Sequence, residues 1–111
     1  MARVTWEKIR EIALTLPDVE AGTSYGTPAL KRKKKLMIRL KEDGETVVMI
    51  VGFDNREMLM TTRPDAFFIT DHYRNWPTVL MRMAKVSVAE ARDVIQMTWS
   101  EAAAKKRRSV L

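Results

Sequence analysis

The chain has no cysteine, which excludes disulfides, thiolate nucleophiles and cysteine-held metal together. It has a single histidine, His72, and one histidine does not make an ordinary zinc site. No apolar run approaches the ~20 residues that a bilayer crossing needs. The first sixteen residues alternate charged and apolar groups and contain no signal-peptide core. Glycine and proline are sparse, at four each, and nowhere gather into a linker. There is no Ser or Cys elbow to go with His72. These absences lead to the expectation of one cytoplasmic domain over residues 1–111, with no membrane contact, no metal or other cofactor, and no enzymatic activity.

What the chain has in quantity is positive charge, and its placement is uneven. Of twenty basic residues, seven fall in one stretch (Lys31, Arg32, Lys33, Lys34, Lys35, Arg39 and Lys41) and four near the C-terminus (Lys105, Lys106, Arg107 and Arg108). The nine that remain face fourteen acidic residues, so an acidic body carries two basic clusters. Clustered charge creates a local potential that the same net +6 spread evenly would not.

Periodicity gives the elements. Thr5 can cap a helix with the apolar stripe Trp6, Ile9, Ile12, Ala13 and Leu16, stopped by Pro17. Residues 18–23 read as a polar connection, and residues 24–30 as an edge strand interrupted by Pro28. Residues 36–40 alternate, with Leu36, Ile38 and Leu40 on one face and Met37 and Arg39 on the other. A turn at Glu42, Asp43, Gly44 and Glu45 leads to a β-branched partner strand over 46–51. Asp54 and Glu57 have capping-box spacing for a helix ending near Thr61. Strands follow at 66–70 and 78–83, separated by the polar and aromatic loop 71–77. Ser87 and Glu90 form a second capping box, for a last helix with stripe Val88, Ala91, Ile95, Trp99 and Ala102. The basic end beyond about residue 104 reads as a frayed terminus. The fold class is therefore α+β, a mostly antiparallel sheet in α-β-β-β-α-β-β-α order with helices packed on it. Trp6 and Trp99 belong to the core, and Trp76 is the exposed tryptophan.

Two constellations are candidate sites. The first is the basic turn Lys31, Arg32, Lys33, Lys34 and Lys35 with Arg39, helped by Lys105, Lys106, Arg107 and Arg108. Cations on a hairpin tip can follow a phosphate backbone, although the same run could serve only to protect an edge strand. The second is Tyr25, His72, Tyr73, Arg74 and Trp76, whose rings and arginine suit a small ligand or a protein partner. No base-reading helix stands out, so nucleic-acid binding through the first would be weak or non-specific.

Three segments resemble the MmcQ/YjbR family. They are Thr23-Ser24-Tyr25-Gly26-Thr27-Pro28-Ala29-Leu30 with Lys35 and Arg39-Leu40 after it; Gly52-Phe53-Asp54 with Arg56-Glu57; and Phe67-Phe68-Ile69-Thr70-Asp71-His72-Tyr73-Arg74, followed by Trp76-Pro77, Val79-Leu80 and Arg82. The resemblance implies the family's double-wing α+β fold, for which DNA binding has been proposed. The chain departs from the family in its first turn, where Arg32 and Lys34 replace an apolar residue and a glycine. Its second wing tip, Glu42, Asp43 and Glu45, would repel phosphate and argues against a symmetric clamp. The functional expectation is a non-enzymatic module that contacts the backbone of duplex DNA through the basic turn. The alternative is a ligand or partner module built on the aromatic constellation.

Overall fold

The computed structural model describes residues 3–104. The terminal cluster Lys105, Lys106, Arg107 and Arg108 lies outside the described residues. Helix α1, Trp6–Leu14, opens where the Thr5 hydroxyl accepts the Lys8 amide at 3.2 Å. Strands β1 (Val19–Ser24), β2 (Thr27–Arg32), β3 (Lys35–Leu40) and β4 (Thr46–Ile50) follow. Helix α2 (Phe53–Thr62), the short β5 (Phe67–Phe68), β6 (Thr78–Arg82) and helix α3 (Val88–Ala104) complete the chain. The six strands form one sheet in the order β1-β2-β3-β4-β6-β5, with every pair antiparallel.

Residues 18–23 are not a connection, since all but Asp18 belong to β1. Four of β1's six residues are exposed, so the strand carries no apolar alternation to read. Its register comes from the turn instead. Tyr25 and Gly26 have φ of 54° and 81°, the two positive values of a type I′ hairpin. Pro28 is consequently inside the sheet and not on an edge. It sits opposite Thr23, one pair beyond the hydrogen-bonded Ser24–Thr27 pair, in a position that needs no amide donor toward β1. The ladder to β3 begins only at Ala29.

The basic turn is a second type I′ hairpin, with Lys33 at φ 47° and Lys34 at φ 71°. The turn therefore keeps the left-handed geometry that glycine favours although a lysine occupies the position. Strict alternation in β3 fails because of a bulge. Leu30 pairs with Ile38 and Lys31 with Leu36, leaving Met37 as the extra residue. The bulge puts Ile38 and Met37 together in the core and turns Leu36 to the opposite face with Arg39.

Helices α1 and α3 pack on one face of the sheet, over a core that includes Ile9, Ile12, Leu30, Ile38, Met49, Val79, Ala91 and Ile95. The Ser87–Glu90 box forms as expected, with each backbone amide bonded to the other's side chain at 3.0 and 3.1 Å. The Asp54–Glu57 box does not form. Gly52, at φ 95°, is the cap of α2, and Asp54 falls inside the first turn. A Cβ at Gly52 would lie 2.8 Å from a Glu101 carboxylate oxygen, a flexible side-chain end that can shift, so it is the positive φ that selects glycine. Trp6 and Trp99 pack against the core but are only partly buried, whereas Trp76 is 59% exposed. Trp99 gives its indole N–H to the Pro17 carbonyl at 2.9 Å.

Holding a lysine left-handed costs roughly 1–2 kcal/mol, part of which glycine's extra chain entropy would offset. Lys34→Gly is therefore expected to stabilise the protein by up to about 1 kcal/mol, raising Tm by several degrees. Thermal unfolding that is unchanged or lower would show that the turn is not strained.

Candidate binding site on the open face of the sheet

The sheet face away from α1 and α3 carries the cross-strand row Ala29, Arg39, Val48, Leu80 and Phe68. Among the described residues no long helix covers this row, yet Ala29, Arg39, Val48 and Leu80 are all buried. Segment 70–77 lies over part of this face. It contains one 3-10 turn, Asp71–Tyr73, and is held from below by Arg56 of α2. The Arg56 Nη1 donates to three carbonyls in succession, those of Tyr73 at 3.2 Å, Arg74 at 3.2 Å and Trp76 at 2.7 Å. The Val51 and Gly52 amides both donate to the Pro77 carbonyl at 3.0 Å, which ties the far end of the segment to the start of α2. An irregular segment must satisfy its carbonyls somewhere, and a buried guanidinium with several donors does so at one point.

Between this segment and the sheet lies an open cavity of about 630 Å³. Leu36, Val48 and Ile50 give it an apolar floor, with Arg39 and Thr78 among them. Thr70, His72, Tyr73 and Trp76 line it from the segment, and Tyr25, Lys41 and Glu42 from the opposite end of the strands. His72 and Tyr73 meet edge to face at 4.7 Å. Tyr25 is 85% exposed and leans toward the Arg39 guanidinium, 5.3 Å from its ring centre.

The fold thus brings together four of the five residues of the aromatic constellation. Arg74 is the exception, because it turns outward and pairs with the carboxylate of Asp71. The basic constellation is divided. Lys33 and Lys34 stand exposed at the hairpin tip, with Lys33 3.9 Å from Asp18, while Lys31 and Lys35 are half-buried beside it. Arg32 points to the helix face, where its guanidinium stacks 3.9 Å from the Trp99 ring centre and donates to the Trp99 carbonyl at 3.0 Å. Arg39 is buried and bonded to the Thr27 hydroxyl at 3.2 Å and to Glu42 at 3.3 Å. Neither arginine belongs to a free cationic tip. The floor residues and the anchor Arg56 escaped sequence reading. The bulge hid Leu36, and nothing in the helical periodicity marks Arg56 as a buried donor.

The acidic turn serves the fold. The Asp43 carboxylate accepts the Glu45 and Thr46 amides at 2.8 and 2.9 Å and the Thr46 hydroxyl at 2.9 Å. Burial alone would raise its pKa, but these hydrogen bonds outweigh burial and hold it below the ordinary value. Glu42 is lowered too, chiefly by a backbone hydrogen bond and further by Arg39. The acidic turn sits at the far end of β3 from the basic one, roughly 20 Å away for a six-residue strand. Among the described residues, no three His, Asp or Glu side chains gather as a metal-ligand set.

A six-stranded antiparallel sheet, helices on one face and an irregular aromatic segment on the other define a small α+β protein with an open concave face. The YjbR family model matches residues 14–101, and the chain belongs to that family. Among solved structures, the fold is similar to that of the Deinococcus radiodurans protein DR2400, described by the family-model domain DUF419. The two superpose with a TM-score of 0.73 at 14% identity, over 92% of this chain and 80% of that one. No curated protein matches the chain.

Replacing Arg56 with Met should cost on the order of 2 kcal/mol, because the Arg74 carbonyl loses its donor and those of Tyr73 and Trp76 keep only a backbone amide. The same variant should raise hydrogen exchange at the Val51 and Gly52 amides while leaving α1 protected. Equal loss of protection everywhere would mean that Arg56 supports the whole core and not this segment.

Proposed function

We propose that this protein is a non-enzymatic nucleic-acid-binding module that meets phosphate with the lysines of the 31–35 turn. One observation carries the reading. Lys31 is the cross-strand partner of Leu36, which lines the cavity, so the basic turn adjoins the concave face. Lys33 and Lys34 extend the same edge into solvent. The DNA binding proposed for the family points the same way. The contact set is smaller than the sequence suggested, because Arg32 and Arg39 are spent on Trp99, Thr27 and Glu42. Four lysines without an accompanying base-reading helix favour weak, sequence-independent contact. The acidic turn stands at the other end of β3, so a one-sided contact avoids it. No helix among the described residues is long and apolar enough to cross a membrane; a cytoplasmic place of action is part of the proposal.

A second reading is a small-ligand or partner-protein module, favoured by the convergence of Tyr25, His72, Tyr73 and Trp76 on one cavity. In that reading the lysine turn serves solubility and edge protection. The two readings separate by salt, since an aromatic cavity that holds an uncharged ligand is nearly insensitive to it.

If the four lysines neutralise about four phosphates, the slope of log K against log salt should be about −3.6. Raising salt from ~50 to ~200 mM should then weaken binding on the order of a hundredfold. The combined change Lys33→Gln, Lys34→Gln and Lys35→Gln should flatten that slope and weaken all sequences alike. A triple variant that binds like the parent, or a parent that binds no nucleic acid at low salt, overturns the proposal.

A further inference from the structure

Resting on that nucleic-acid reading, we infer that the concave face takes an unstacked base, so that the preferred ligand is a single strand and not a duplex. Rings stand at both ends of the cavity. Tyr25 is 85% exposed at one end, and Trp76, 59% exposed, stands at the other with Tyr73 beside it. Large exposed rings around an apolar floor offer a stacking surface, with the Arg39 guanidinium 5.3 Å from the Tyr25 ring centre as that ring's neighbour, and every base has a π-face to lay on one. In a duplex those faces are already stacked on their neighbours, and only an unpaired base can present one to a protein. The cavity, at about 630 Å³, falls within the usual range for a small organic ligand and exceeds what a single side chain would fill.

The cations are placed to suit a strand. Lys31 stands beside Leu36 at one end of β3, and Lys41 lines the cavity with Tyr25 at the other. The five residue steps from Leu36 to Lys41 separate these ends by roughly 17 Å, a span of a few nucleotides. Arg39, on the floor between them, is neutralised by Glu42, which lines the Lys41 end of the cavity, so the middle of the path is suited to a base and the Lys31 end to phosphate. Thr70 and Thr78 supply polar groups on the cavity wall that the edge of a base could meet. The lysine tip then steers the strand toward the cavity.

The test compares a labelled oligothymidine of about eight nucleotides with a duplex of equal length, by fluorescence anisotropy at low salt. Trp76→Ala and Tyr25→Ala change exposed rings, and thermal unfolding will verify that both variants fold. Each should weaken the single strand on the order of tenfold to a hundredfold and leave duplex affinity unchanged. The combined Lys33→Gln and Lys34→Gln change should weaken both forms. Equal affinity for the two forms, unmoved by either ring variant, overturns the single-strand inference while leaving the phosphate reading in place. Binding of neither form by the parent would overturn both.

Discussion

One buried guanidinium determines whether this protein has a site at all. Arg56 offers its Nη1 to the carbonyls of Tyr73, Arg74 and Trp76; those of Tyr73 and Trp76 also accept the Trp76 and Thr78 amides, so the Arg74 carbonyl depends on it most. Without that donor the Arg74 carbonyl would have to turn to water, and segment 70–77 would be tied to the start of α2 only through the Pro77 carbonyl. Departure of the segment would strip the wall from the cavity and expose the buried row at Val48 and Leu80. The cost of burying a charge is met in part by hydrogen bonds from Nη1 to neutral carbonyls, while the buried Nε has no hydrogen bond among the described residues and has Glu57 3.6 Å away as counter-charge. Helix α2 therefore mounts Arg56 under the segment while giving Leu59 to the core.

The second constraint is the bulge at Met37. A strand of strict period two would put Leu36 into the helix-side core with Ile38. The extra residue sends it to the open face, where it joins Val48 and Ile50 as apolar floor. The same local change sets Lys31 opposite Leu36 and thereby brings the basic turn to the cavity. Charge follows the strand direction as well, with lysines at one end of β3 and Glu42, Asp43 and Glu45 at the other. The molecule is thus polarised along a single strand, and its acidic end is occupied with closing its own turn.

Much of the fold was legible from residue patterns alone. Thr5 and the Ser87–Glu90 pair marked two helix starts correctly because side-chain capping is local chemistry, decided within four residues. The basic hairpin and the aromatic segment were readable for the same reason. Most of what escaped depended on distant partners. The strand β1 has an exposed, patternless face and exists because β2 pairs with it. Gly52, and not Asp54, caps α2 because the chain enters the helix there at φ 95°, a backbone geometry that residue spacing does not reveal. Arg32 and Arg39 looked like free cations until Trp99 and Glu42 claimed them. The aromatic constellation was named from composition, but the floor on which it stands became visible only with the register of the sheet.

The account rests on nucleic acid lying across the open face, between the lysine turn and Tyr25. Its most direct test is to map amide and indole chemical shifts of the labelled protein during titration with a short oligothymidine. The expected changes fall on Tyr25, on Lys31 through Leu36, and on residues 70–78 with the Trp76 indole, while α1 and the helix-side core stay still. Changes confined to α1, α3 or the acidic turn at residues 42–45, or no changes at any oligonucleotide concentration, would contradict it.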